Sequence, residues 1–264
     1  MENGVEGLQD KVIIVAGSAS GIGAATARKL AKYGAKLVLA DIKEEEAATV
    51  AASIVEAGGI ASSIRFDILD ESTIAGLVAY TLDLHGRIDG LHNNVADVAL
   101  TVRDTNLIDI ELDVWERTLR VNLTGLFLTM RYVVPEMLKQ GGGSIVNTSS
   151  AAAFSGEAEI PAYASSKAGL LALTRHVASA YGRRGIRCNA VAPGAIATEG
   201  AVAAILNMGG KVEERYQHMR ENVTRSHRDG KSEDIAMMVA LLLSDGGSWI
   251  NGQCYGVDGG WLLR

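Results

Sequence analysis

Tyr163 and Lys167 stand four residues apart in Tyr-Ala-Ser-Ser-Lys, and on a helix that spacing puts a phenol and an ammonium on one face. A free phenol has a pKa near 10 and exchanges protons poorly at neutral pH unless a nearby positive charge stabilises the phenolate. Lys167 can supply that charge. Of the seven tyrosines only Tyr163 has a lysine at that offset, and Asn122, Ser150 and a glycine-rich turn beginning at Gly17 lie upstream.

The turn reads Gly17-Ser18-Ala19-Ser20-Gly21-Ile22-Gly23. Glycines between a strand and a helix let the backbone turn tightly and approach a pyrophosphate at the helix N-terminus. Asp41 lies 18 residues beyond Gly23 at the end of the next apolar run, where a carboxylate accepts hydrogen bonds from a ribose 2′-OH and repels a 2′-phosphate. A site for NADP would usually carry arginine or lysine in the turn or beside Asp41. Ser18, Ala19, Ser20 and Ile42 are uncharged, and Lys43 reads as a solvated helix start. The expected cofactor is NAD.

These groups need a scaffold. Val12 to Ala16, Leu37 to Ala40, Ile60 to Phe66, Ile88 to His92, Ser144 to Thr148 and Ile186 to Val191 read as short apolar strands. Between them Ile22 to Tyr33, Glu44 to Ala57, Glu71 to Leu84, Leu112 to Leu138 and Ala162 to Tyr181 carry helical periodicity, with Pro135 marking a candidate break. Such alternation implies right-handed βαβ units, a parallel sheet and helices on both faces. Ligands of such sheets bind beyond the carboxyl ends of the strands. Gly17, Asp41, Asp67, Asn94, Ser150 and Gly194 all follow strands in this reading.

The 264 residues fit one large α/β domain, with proline only at 135, 161 and 193 and no linker or internal repeat. A net charge of −6 with interspersed signs gives no basic stripe, so nucleic acid is not an expected partner. Met1 to Asp10 is polar and acidic, unlike a secretory signal, and no uncharged apolar run reaches the roughly 18 residues that span a bilayer. Cys188 and Cys254 read as reduced thiols of a cytoplasmic protein, and the five histidines form no metal-binding spacing.

With these pieces in order the chain resembles the classical short-chain dehydrogenase/reductase family over essentially its whole length. Gly17, Gly21 and Gly23 match its glycine turn, with Ser20 and Ile22 between them. Asp41 and Ile42 match its cofactor-selecting position, Asp67 and Ile68 its adenine contact, and Asn93 and Asn94 its asparagine stretch. Asn122, Ser150, Tyr163 and Lys167 match its catalytic set; Pro193, Gly194, Ile196 and Thr198 match its nicotinamide turn. Ser150, thirteen residues before Tyr163, takes the serine position rather than Ser149. The end, Asn251-Gly252-Gln253 leading to Val257-Asp258-Gly259-Gly260, is similar to the family's last strand.

The resemblance implies a single-domain Rossmann fold, a doubly wound parallel sheet of about seven strands. It also implies NAD-dependent oxidation of an alcohol: Tyr163 as acid/base, Ser150 holding the substrate oxygen, Lys167 binding the nicotinamide ribose, and Asn122 bending its helix and holding a water. Three departures stand out: Ala16 for the usual threonine, Val95-Ala96 for the usual Ala-Gly, and a longer, more polar Asp97 to Glu116. The first two put in question the tie between the glycine turn and the loop after the fourth strand.

Residues 195 to 228 correspond to a lid, whose apolar Ala201 to Met208 suggests a hydrophobic, cyclic secondary alcohol or ketone as the small-molecule substrate. A rival reading is a reductase of carrier-bound 3-oxoacyl groups, with Arg183, Arg184 and Arg187 as docking charges; a third is a non-catalytic nucleotide-sensing scaffold. A homotetramer is the family's usual assembly, and Leu170, Leu171, Leu173 and Val177 suit either an interface or the monomer core.

Overall fold

Val-Ile-Ile-Val-Ala is buried at every position in β1 (Val12–Ala16), because each face of the strand meets a different layer of helices. Ile14 and Ala16 join one apolar cluster and Ile13 and Val15 the other. That is why the run is continuous rather than alternating. The computed structural model describes residues 5–263, so the first four residues of the acidic N-terminal stretch lie outside it.

The other strands are β2 (Lys36–Asp41), β3 (Ile60–Arg65), β4 (Gly90–Asn93), β5 (Gly143–Thr148), β6 (Ile186–Pro193) and β7 (Cys254–Val257). All pairings are parallel, in the order β3-β2-β1-β4-β5-β6-β7. The order reverses between β1 and β4, which open a crevice at their carboxyl ends. The expected seven-stranded doubly wound Rossmann fold, a single domain, is the one observed.

Helices α1 (Gly21–Lys32) and α2 (Glu44–Glu56) supply residues to the cluster around Val15 and Leu39, and α3 (Glu71–His85) to that around Ile14 and Leu91. The helix expected over Leu112 to Leu138 is divided into α4 (Leu112–Leu119), a π-helical turn (Arg120–Gly125) and α5 (Leu126–Lys139). The interruption falls at Asn122 and not at Pro135, which sits inside α5. Pro135 and Arg131 are both exposed, so the carbonyl deprived of its helical donor can meet solvent.

Helix α6 (Pro161–Tyr181) packs on β6. Leu170, Leu171 and Val177 are buried within the monomer and Leu173 packs against the same core, so the monomer accounts for them. Beyond β6 lie three helices that the periodicity did not mark: α7 (Glu199–Asn207), α8 (Val212–His218) and α9 (Ser232–Leu243). The buried run of α9 lies between α1 and the sheet; an almost uniformly apolar segment has little helical periodicity to read.

Candidate active site

The glycine turn follows β1, with Gly17 at φ 84°. Gly17 N–H donates to Ala40 O at 2.8 Å, which fixes the turn to β2. A Cβ on Gly23 would stand 1.8 Å from Gly17 O, so no other residue fits while the turn keeps its shape. Asn94 N–H donates to Ala16 O at 2.9 Å and Asn94 Nδ2 to Gly17 O at 3.0 Å. The turn and the loop after β4 are therefore tied together despite Ala16 and Val95-Ala96.

Ser20 precedes α1 without a side-chain cap, and the first turn of α1 holds no acidic residue. A helix start of that kind offers unmet N–H groups and positive dipole density. A cleft of about 480 Å³ opens there, lined by Ala19, Ser20, Gly21, Arg28, Ala197 and Glu199 among others. Glu199 Oε2 accepts Gly21 N–H at 2.9 Å, so a carboxylate sits where the helix would hold a phosphate. This contact, across 178 residues, was not legible in the sequence.

At the end of β2, Asp41 accepts Ala19 N–H at 2.9 Å and Lys43 N–H at 3.0 Å. Ile42 beside it is exposed, and Lys43 precedes α2 as a solvent-facing residue. After β3, Asp67 accepts Leu69 N–H at 3.0 Å, and Ile68 is buried against Gly125. A glycine turn leading into a helix start with no acid in its first turn, and an acid at the tip of β2, together fit a dinucleotide without a 2′-phosphate.

On the other side of the crevice, Pro193 ends β6 and Gly194 N–H donates to Val257 O at 3.2 Å. Ile196 is buried and its carbonyl accepts Tyr216 Oη at 3.1 Å. Thr198 caps α7 by accepting Ala201 N–H at 3.2 Å, and packs on Gly21. The turn of the lid is thus anchored, whereas Leu206 and Met208 at the end of α7 are exposed. Met219, the residue after α8, is buried.

Ser150, Tyr163 and Lys167 converge. The Ser150 hydroxyl stands close enough to the Tyr163 phenol to favour its phenolate, and Lys167 Nζ lies 5.7 Å from the centre of the Tyr163 ring. Ser149 is buried and donates to Lys167 O at 3.0 Å. That bond ties the loop after β5 to α6. Ser166 donates to Tyr163 O at 2.7 Å, while Ser165 is exposed.

Lys167 is 1% exposed, and its Nζ donates to Thr148 O at 2.9 Å. Burial lowers its ammonium to about 8. Burial also pushes the Tyr163 phenol above its ordinary value, partly offset by the nearby Ser150 hydroxyl. The protein alone therefore disfavours the phenolate of Tyr163, and the sequence expectation that Lys167 lowers the phenol is not met by the protein's own groups. Desolvation of the phenolate is the largest cause of the rise.

Thr148 also donates to Asn94 Oδ1 at 3.0 Å, and its Oγ1 lies 3.0 Å from His92 Nε2. With its proton directed to Asn94, that hydroxyl must accept from His92, which fixes the Nε2–H tautomer. Burial lowers His92 to about 3, so the ring is neutral. Neither His92 nor Thr148 was marked by sequence. Asn122 is buried in the π-helical turn, with Oδ1 accepting Asp97 N–H at 3.0 Å and Nδ2 lacking a protein partner.

A glycine turn at the switch point, an acid at the tip of β2, a serine just beyond β5 and a Tyr/Lys pair on α6 define a short-chain oxidoreductase. The chain belongs to the classical short-chain dehydrogenase/reductase family: the family described as enoyl-(acyl carrier protein) reductase matches residues 16–262. It is similar to a 7alpha-hydroxysteroid dehydrogenase of Bacteroides fragilis, 34% identical over 97% of this chain and 96% of that protein. A levodione reductase of Leifsonia aquatica is 35% identical over 95% of this chain and 94% of its own. Among solved structures, a 7 alpha-hydroxysteroid dehydrogenase complexed with NADH and 7-oxo glycochenodeoxycholic acid superposes with a TM-score of 0.88. It is 32% identical, covering 97% of this chain and 96% of that one.

Among the described residues no helix is long and apolar enough to cross a membrane, and no cluster of His, Cys, Asp and Glu could hold a metal ion.

Proposed function

We propose that the protein is an NAD(H)-dependent oxidoreductase that interconverts a hydrophobic, cyclic secondary alcohol and its ketone. The observation that carries this reading is the Tyr163 phenol set between Ser150, which lowers its pKa, and the buried Lys167, whose Nζ lies 5.7 Å from the ring centre. Asp41, without a cationic neighbour in the glycine turn, supports NAD over NADP. Similarity to a 7alpha-hydroxysteroid dehydrogenase and to a levodione reductase supports the substrate class.

The nicotinamide, when bound, takes up or returns the hydride. Tyr163 takes the hydroxyl proton during oxidation and gives it back during reduction. Ser150 donates to the substrate oxygen and so holds it beside the phenol. Lys167, as a cation, favours the phenolate that Tyr163 must become, and with Asp41, Asn94 and Thr198 it holds the dinucleotide. Asn122, with an unmet buried amide, is placed to bind a water that relays the proton outward.

The carrier-bound reading is weaker on geometry. Arg187 spends its guanidinium on the carbonyls of Leu242, Ser244 and Gly247. Arg183 and Arg184 precede β6, at the opposite end of the sheet from the crevice, where they could not guide a carrier to Tyr163.

Tyr163→Phe keeps the ring and deletes the proton. With NAD and a panel from cyclohexanol to a hydroxysteroid, its turnover should fall by about 10²- to 10⁴-fold while NAD binding persists. Near-normal turnover would sink the assignment. Asp41→Ala should reduce the preference for NAD over NADP in kcat/KM; a wild type already faster with NADP would overturn the cofactor choice.

A further inference from the structure

Helix α6 begins without the usual local cap. Ile160 precedes it at φ 60° and ψ 42° and offers no side-chain hydrogen bond; for a β-branched residue that left-handed conformation is strained. Pro161 has no N–H to satisfy, which leaves Ala162 and Tyr163 as the first donors needing partners.

Both go to one distant carboxylate. Asp104 Oδ1 accepts Ala162 N–H at 3.2 Å and Oδ2 accepts Tyr163 N–H at 2.8 Å. The carbonyls of Asp104 and Thr105 accept Ile160 N–H at 3.0 and 3.1 Å. Asp104 is 2% exposed, and among the described residues no ion pair reaches it. A carboxylate so placed is stabilised by the two amides and the positive end of α6. It belongs to the polar segment Asp97 to Glu116, which the sequence marked as a departure from the family pattern.

Lys167 is held independently, through Thr148 O and through Ser149 to its own carbonyl. The two ends of the reactive face thus have separate anchors: β5 holds Lys167, and Asp104 holds Tyr163. We propose that Asp104 is a positioning residue for the reaction, setting where the Tyr163 phenol stands relative to Ser150. This rests on Tyr163 being the acid/base.

The test uses full-length enzyme with NAD and the fastest cyclic alcohol of the panel. Asp104→Asn keeps the size but presents a donor to one of the two amides. It should lower kcat about 10- to 100-fold, the scale of a misplacement near 1 Å, with the dissociation constant for NAD within twofold. The double variant Asp104→Asn/Tyr163→Phe should be no slower than Tyr163→Phe alone, because Asp104 acts only through the phenol. Additive losses, or unchanged kcat in Asp104→Asn, would overturn the proposal.

Near-normal turnover in Tyr163→Phe would instead overturn the reading beneath it. Should Asp104→Asn not fold, Asp104→Glu retains the charge and shifts it by one methylene, with the same split between kcat and NAD affinity expected. Hydrogen exchange gives a readout free of substrate: in either variant the Tyr163 amide should exchange faster and the Lys167 amide unchanged. Equal loss of protection at both amides would show a merely structural cap.

Discussion

Replacing Lys167 by methionine should make the protein inactive and more stable. The ammonium is 1% exposed, accepts help from one carbonyl at 2.9 Å, and among the described residues has no carboxylate partner. Burial lowers it from 10.5 to about 8. At roughly 1.4 kcal/mol per pKa unit, holding the charge at pH 7 costs the folded state about 3 kcal/mol. Methionine keeps the apolar stem but leaves Thr148 O without its donor, a loss of about 1 kcal/mol. The net gain is about 1 to 2 kcal/mol, or roughly 2 to 8 °C in Tm for a chain of this size.

The sign changes with pH in a way that tests the cause. Below about 8 both folded and unfolded chains carry the Lys167 proton, and the cost is present in full. Between about 8 and 10.5 the folded chain releases the proton first, so the unfolded chain binds more protons and wild-type stability rises with pH. Above 10.5 the cost is gone. The advantage of Lys167→Met should therefore shrink by about 3 kcal/mol across that interval. Urea unfolding of both proteins at pH 7 and pH 10, without dinucleotide and at one protein concentration, measures it. A variant less stable at pH 7, or an advantage equal at both pH values, would refute the reasoning.

Glu199→Gln removes the carboxylate from the start of α1, where an exposed charge is worth about 0.3 to 1 kcal/mol. NAD should bind about two- to fivefold more tightly, measured by titration calorimetry; weaker binding would show that Glu199 assists the cofactor instead. Gly23→Ala forces a methyl against Gly17 O at 1.8 Å and should weaken NAD binding at least about tenfold, with stability lower by roughly 1 to 3 kcal/mol. Gly76→Ala, in α3 with nothing near its added Cβ, is the control: up to about 1 kcal/mol more stable, with NAD binding unaltered.

The sequence displayed most of what depends on local pattern. Strands such as Val12–Ala16 and the centre of Lys36–Asp41 are apolar because both faces are covered, and the glycine turn shows in composition because only glycine tolerates the approach of Gly23 to Gly17. Tyr163 and Lys167 were legible as a helical pair. What stayed hidden depends on distant contacts: the bonds of Asp104 to α6, of Glu199 to Gly21 and of Thr148 to Asn94 each join segments more than 50 residues apart. The direction of the Tyr163 shift was hidden for the same reason, since desolvation is set by the packed surroundings and not by spacing.

The remote capping of α6 bears on the order in which the chain acquires its structure. A helix that carries its own cap can start from a short segment, but the first turn of α6 must wait for a partner 58 residues upstream in the chain. Closing so long a loop is slow relative to local helix formation. The Tyr163 end of α6 should therefore consolidate late, near φ-values of zero, after β5 and β6 have paired. Newly made chains would then hold a nearly complete Rossmann sheet before they hold a functional tyrosine, so that spectroscopic folding precedes the recovery of turnover.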